Sequence, residues 1–234
     1  MPGSSARVRR AIARLPGAVP LYELSQRPRL IRDERRLHDR DDRIIAGLLS
    51  QAELRLNMGA SAQTLPGWVN FDLRPSEAAV QLDAAKPWPF RDASAEAVNS
   101  EHMIEHLTED QVEVYLSEAF RVLRPGGVIR TSTPDLRAIA EAYLAGEPHI
   151  LEVHRSHSYA AATHGDMLNN YAYMFGHCHL WDYEGLKVRL ERAGFEQIVQ
   201  TAYGQSAHPA LAGIDRHDMG ALRHFALCVD AVRP

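Results

Sequence analysis

The apolar positions of this chain change their period as it runs. Leu30, Leu37 and Ile44 recur seven residues apart, with Ile31, Ile45 and Leu48 beside them. That spacing predicts an amphipathic helix from about Arg32 to Leu49. Further on, the runs shorten. Arg55–Ala60, Trp68–Leu73, Val80–Asp83 and Ala97–Ser100 read as short strands. Val112, Leu116, Ala119, Phe120 and Leu123 then share one face of a helix. Thr108 is its N-cap, Glu109 and Asp110 stand in its first turn, and "RPGG" stops it. Val128–Thr133 is a fifth strand, and a helix runs from Pro134 or Asp135 to Gly146. From Pro148 to Leu180 no period is evident. A long irregular insertion of this kind is more often functional than idle. "DYEGLKVRLERAGF" gives a helix closed by Gly194. Gln197–Tyr203 and Phe225–Ala231 are two last strands, and their long connection suits an antiparallel edge. Strands alternating with helices mean an α/β fold, with a mostly parallel sheet covered on both faces. Its ligand is expected beyond the carboxyl ends of the strands.

Length and composition narrow the class. A chain of 234 residues with 45% hydrophobic and 24% charged positions affords a full core. The expected organisation is an N-terminal helical arm over residues 1–53 and one domain over 54–234. The arm is rich in arginine, from Arg7 to Arg43, with Asp33, Glu34, Asp39, Asp41 and Asp42 among the later ones. A formal net charge of −4 argues against a nucleic-acid partner held by charge. The two cysteines, Cys178 and Cys228, lie far apart with no CxxC. That suggests an intracellular, cytoplasmic chain without a disulfide framework. The basic "MPGSSARVRRAIARLPG" start is followed by no long apolar run, so neither a signal peptide nor a membrane span is expected.

The stretch "LNMGASAQTLPGWVNFDL", Leu56–Leu73, carries the chemistry. It opens like a nucleotide-binding strand and turn, yet "SAQTLPG" is too short for the helix such turns lead into. A dinucleotide would lose the helix N-terminus that anchors its pyrophosphate. S-adenosylmethionine has no phosphate. It needs close backbone approach at a glycine and a carboxylate for the ribose diol, and Gly59 and Asp72 meet those needs. Gly59 followed in order by Asp72, Asp83, "PFRDAS" and "RVLRPGG" is a strong signal.

The run "SEHMIEHLTEDQVEVYLSEAFRVLRPGGVIRTSTPDL" resembles the class I S-adenosylmethionine-dependent methyltransferases, type 11-like. The later "GHCHLWDYEGL" and "YGQSAHPALAGIDRH" are similar to segments of one bacterial group of predicted methyltransferases, and the likeness covers about Leu54 to the end. It implies a Rossmann-like seven-stranded sheet of order 3-2-1-4-5-7-6 with strand seven antiparallel, and a short or missing first crossover helix. It places the glycine loop on Asn57, Gly59 and Ala60, and the ribose acid on Asp72 beside Leu73. The adenine-side acid falls on Asp83 beside Ala84, and the end of the fourth strand on Ser100, Glu101 and His102. The family's second glycine is Ser61 here, and a serine at positive φ costs on the order of 1 kcal/mol. Either the turn differs or Ser61 contributes its hydroxyl. His179, Trp181 and Gln205 also depart from the group's pattern.

Methyl transfer is an in-line displacement in which the protein chiefly positions the reactants and excludes water. A base at hydrogen-bond distance helps a hydroxyl or amine nucleophile. His102 or His177 is the expected base, with Asp135 orienting it; the plainer role for Asp135 is a helix cap. His102 and His106, at i and i+4, and the His177–Cys178–His179 run show no fixed ligand set, so no metal is expected. The acceptor is expected to be a small or sugar-like molecule held by the 148–180 insertion. Neither nucleic acid nor membrane is an expected partner, and the chain should be a monomer or homodimer. The competing reading is a degenerate cofactor-binding module serving as a partner or regulatory protein.

Overall fold

A computed structural model describes residues 35–61, 63–156, 160–216 and 225–234. Ile44–Pro234 form one compact unit, and the chain up to Arg43 belongs to another. Helix α1 covers 35–48 among the described residues, and the arm before it lies outside them.

The strands are β1 (Leu54–Met58), β2 (Val69–Asp72), β3 (Val80–Gln81), β4 (Ala95–Glu101), β5 (Leu123–Pro134), β6 (Glu196–Thr201) and β7 (Ala226–Val232). The helices are α2 (Glu109–Val122), α3 (Leu136–Ala145), α4 (Pro148–Ser156), α5 (His164–Tyr173) and α6 (Tyr183–Ala193). The sheet runs β3-β2-β1-β4-β5-β7-β6. β7 is antiparallel to both β5 and β6, and the other pairs are parallel. This is the strand order that the sequence resemblance implies.

β5 starts earlier than the apolar run suggests. Leu123 pairs with Ala95 before a shift in register brings Val128 opposite Ala97, so the "RPGG" that ends α2 is absorbed into the strand. α2 has a capping box of Thr108 with Gln111, and α3 begins at the cap Asp135 and ends at Gly146 with φ 62°.

One face of the sheet is covered by helices. Val112, Tyr115, Leu116 and Ala119 of α2 and Leu186 and Leu190 of α6 pack with Leu56, Val98, Ile129 and Val229. The residues of β4, β5 and β7 that point the other way, Ala97, Val128 and Val232, are covered by Leu65, Leu211 and Ile214. Leu65 comes from the β1–β2 connection, which shows no helix among its described residues, and Leu211 and Ile214 come from the β6–β7 connection.

The region from Pro148 to Leu180 departs from its sequence reading. It is largely helical, not irregular. α5 has its own capping box, Thr163 with Asp166. Met167 and Tyr171 of α5 and Leu151 of α4 form a second core with Ile139, Ala142 and Phe225. Two short helices with polar outer faces leave few apolar positions in each, so no period shows along the chain.

Candidate active site

A cleft of about 810 Å3 opens at the carboxyl ends of β1, β2 and β4. Its first wall is the β1–β2 turn. Gly59 has φ 71°, and a Cβ there would stand 2.5 Å from Met103 Cγ, so only glycine fits. Ser61 also adopts positive φ, 46°, and its amide donates to Asp72 Oδ2 at 2.8 Å. The turn is therefore kept despite the serine, and the strain is offset by a charge-assisted bond. Asp72 accepts a second amide, from Arg74 at 2.9 Å. Asn57 lies between Asn70 and Asn99 in register, donating to Asn70 Oδ1 at 2.9 Å and accepting from Asn99 Nδ2 at 2.8 Å. This row of three amides ties β2, β1 and β4 together below the turn. Asn99 Oδ1 is buried with no hydrogen-bond partner among the described residues, and Asn99 lines the cleft. Leu73, Asp83 and Ala84 line it as well. Asp83 accepts the Ala85 amide at 3.0 Å and pairs with Lys86 at 3.1 Å.

The opposite wall is the end of β4 and the turn after it. Glu101 accepts from Tyr203 Oη at 3.2 Å and from the Arg216 amide at 2.8 Å. His102 has φ 51°, held by its amide bond to the Ser132 carbonyl. Such a conformation costs about 1–2 kcal/mol in a residue with a side chain, and strain of this sort gathers at functional sites. His102 Nδ1 donates to Glu105 Oε1 at 3.1 Å, and Thr133 Oγ1 donates to Glu105 Oε2 at 3.0 Å. Burial alone would lower the His102 pKa, but the Glu105 hydrogen bond and the charges of Glu105, Glu101 and Asp215 raise it above its ordinary value. Burial would likewise raise the Glu105 carboxyl, yet its bond and charge interaction with His102 hold it below the usual range. His177 Nδ1 lies 2.6 Å from the Tyr171 carbonyl oxygen. Burial brings the His177 pKa below its ordinary value, against the opposing pull of that carbonyl and of Glu105.

The cleft thus gathers Asn57, Gly59, Ala60, Asp72, Leu73, Asp83, Ala84, Glu101, His102 and His177, all singled out by sequence. Two others fall elsewhere. Ser100 is fully buried outside the lining, beside the Tyr115 phenol, whose pKa burial pushes up to about 12. Asp135 caps α3, accepting from Arg137 N at 2.9 Å and Ala138 N at 3.4 Å, and does not line the cleft. The carboxylate that His102 Nδ1 bonds is that of Glu105. Glu105 went unrecognised because an acid inside "EHMIEHL" looks like a solvated helix residue. In fact the segment Ile104–His106 is a 3-10 turn, α2 starts only at Glu109, and Glu105 is 0% exposed. Tyr203 and Arg216, which hold Glu101, carry no sequence signal of their own.

His106 also lines the cleft, and its ring meets that of His177 edge-on with centroids 4.9 Å apart. One ligand atom each from Glu105, His106 and His177 lie within 4.8 Å of one another. His179 stands apart, stacked on Trp181 at 4.1 Å. Among the described residues no helix is long and apolar enough to cross a membrane.

Comparison with known proteins places part of the chain beside methyltransferases. Residues 56–131 match the family described as "Methyltransferase domain". A probable S-adenosylmethionine-dependent methyltransferase of Mycolicibacterium smegmatis is 53% identical over 47 residues, 20% of this chain and 18% of that protein. Among solved structures, a possible histamine N-methyltransferase of Thermotoga maritima is 16% identical, with 90% of this chain and 96% of that one covered and a TM-score of 0.45. A Haemonchus contortus phosphoethanolamine N-methyltransferase 2 in complex with S-adenosyl-L-methionine is 14% identical, with 82% of this chain and 51% of that one covered, at 0.45. The glycine turn, the acid ending β2 and the strands from β1 to the middle of β5 all fall in the matched segment, and over that segment the chain matches the methyltransferase domain family.

Proposed function

We propose that this chain transfers a methyl group from S-adenosylmethionine to a small polar acceptor. The observation that supports the reading best is the pairing across one cleft of the Gly59 turn and Asp72 with the Glu101–His102 wall. The residues present suit the cofactor. Among the described residues there is no helix N-terminus at the Gly59 turn for a pyrophosphate. Acids stand where a diol and a cationic tail need acceptors, and Asn99 Oδ1 is a further buried acceptor. When bound, S-adenosylmethionine supplies an electrophilic methyl on a sulfonium and a neutral thioether as leaving group.

Each wall then has its task. The Gly59 backbone lets the ligand approach the end of β1, and Asp72 and Asp83 accept its ribose and adenine-side donors. Glu101, held from two sides, faces the amino-acid tail. His102, fixed by Glu105, is placed to take the proton of the acceptor. Gln111, Asn170 and His177 give the acceptor side a polar lining. Positioning and exclusion of water do most of the work in such a displacement.

The test is calorimetric titration with S-adenosylhomocysteine. Asp72→Ala should weaken binding by about 1.5–3 kcal/mol, the range for a lost charge-assisted hydrogen bond. The circular dichroism spectrum should stay that of the parent. An unchanged dissociation constant in folded Asp72→Ala would remove Asp72 from the site.

A further inference from the structure

The turn after β4 and the segment after α5 meet at the cleft. Glu105 and His106 come from the turn and His177 from the segment. The backbone secures their meeting, because the amides of Cys178 and His179 both donate to the Glu105 carbonyl, at 2.7 and 3.2 Å. His177 cannot drift from Glu105 without breaking those bonds. The Tyr171 carbonyl can only accept, so His177 Nδ1 carries the proton and Nε2 keeps the lone pair. The Glu105 carboxylate accepts from His102 on one oxygen and from Thr133 on the other. An imidazole whose tautomer is set by a carbonyl, and a carboxylate steadied by outer hydrogen bonds, are the supports typical of metal ligands.

We infer that Glu105, His106 and His177 form a site for one divalent transition-metal ion on the acceptor side of the cleft. Two imidazoles and a carboxylate suit zinc or its neighbours, and three protein ligands leave a position open to the cleft. The ligand atoms lie within 4.8 Å of one another. Around one ion they would be roughly 3–3.5 Å apart, given bonds of about 2.0–2.2 Å, so loading draws the group together. An ion there would hold a heteroatom of the acceptor opposite the methyl donor. This goes beyond the methyl-transfer reading and replaces the sequence expectation of no metal: Glu105 and His106 are adjacent, but His177 comes from a distant segment, so no ligand spacing shows along the chain.

The test uses the full chain, stripped with a chelator and titrated with Zn2+ alone by calorimetry. One equivalent of zinc should bind. His106→Ala and His177→Ala should each weaken it by more than about tenfold. His149→Ala, at an exposed histidine paired with Glu147, should not change it. Both site variants should bind S-adenosylhomocysteine within a few-fold of the parent, which separates this proposal from the cofactor reading. If either alanine variant fails to fold, His106→Gln and His177→Gln decide the matter by the same measurement. Absence of stoichiometric zinc binding overturns the site. So does zinc binding that survives in both folded variants, since the ion would then sit on other histidines or on Cys178.

Discussion

Ser61 shows how one residue can depart from a pattern and leave the structure standing. Its φ of 46° is one that a glycine would adopt without strain, and its amide reaches Asp72 at 2.8 Å. The amide, not the hydroxyl, answers the question that the sequence raised there. It follows that Ser61→Gly should keep the turn and relieve the strain. Such relief is worth up to about 1 kcal/mol, less what glycine loses through the greater freedom of its unfolded chain. Urea denaturation should place the variant within about 0.5 kcal/mol of the parent or above it. A loss well beyond that would mean the Ser61 side chain holds the turn after all. Gly59 is the opposite case, since its φ strains any side chain and Met103 leaves no room for one. Gly59, Asp72 and His102, which sequence singled out and which line the cleft, have chemistry or backbone needs that few residue types meet. Those it missed, Glu105 and Asn99, are ordinary residues made special by burial.

At the scale of elements, strands and capped helices were legible wherever a period ran long enough to see. α2 was placed almost to the residue because a cap, a charged first turn and an apolar stripe agree. α4 and α5 escaped because each is short and buries few side chains. Their packing on Ile139 and Phe225 also changes what can be done to them: cutting out the segment would uncover that second core. α2 allows a sharper test. Arg121 bonds Glu118 and also reaches Asp92 and the carbonyls of Trp88 and Phe90, so it ties the helix to the β3–β4 connection. The Arg121 hydrogen bond, against some burial and with help from the Trp88 amide, holds the Glu118 carboxyl below its ordinary range. A carboxyl whose folded pKa is depressed stabilises the fold above its unfolded value, and that contribution fades as pH falls through the folded one. The stability gap between the parent and Glu118→Gln should therefore be widest near neutrality. It should narrow below about pH 4.5, the ordinary carboxyl value. A gap that stays constant down to about pH 3 would show that Glu118 acts by packing alone.

For the whole molecule, strand order and cofactor class could be read from sequence, but not what closes the second face of the sheet. That closure depends on Arg130, in the middle of β5. It is fully buried, paired with Asp215 at 2.6 Å and Asp230 at 2.7 Å, and it also donates to Thr201 Oγ1 and the Gln205 carbonyl. Asp215 accepts Ser132 Oγ and the Gly204 amide as well. The described part of the β6–β7 connection, up to residue 216, is thereby locked to the strands, and it supplies Tyr203 and Arg216 to Glu101. Breaking one partner of a buried ion pair costs about 3–5 kcal/mol, because the other charge stays buried. Asp215→Ala should lose that much in denaturant unfolding and should also loosen the hold on Glu101. A loss under about 1 kcal/mol would mean that water replaces Asp215 freely.

The same ion pairs set an order of events in folding. A guanidinium cannot be buried unpaired, and the partners of Arg130 lie 85 and 100 residues further along the chain. During synthesis, the helix-covered face can begin to form around β1, β4 and α2. The loop-covered face must stay wet until the last strand has emerged, for only then can Arg130 be sealed beneath Leu211 and Ile214. A chain stopped short of Asp230 would therefore display a half-covered sheet with a solvated charge at its centre and unpaired apolar surface prone to aggregation.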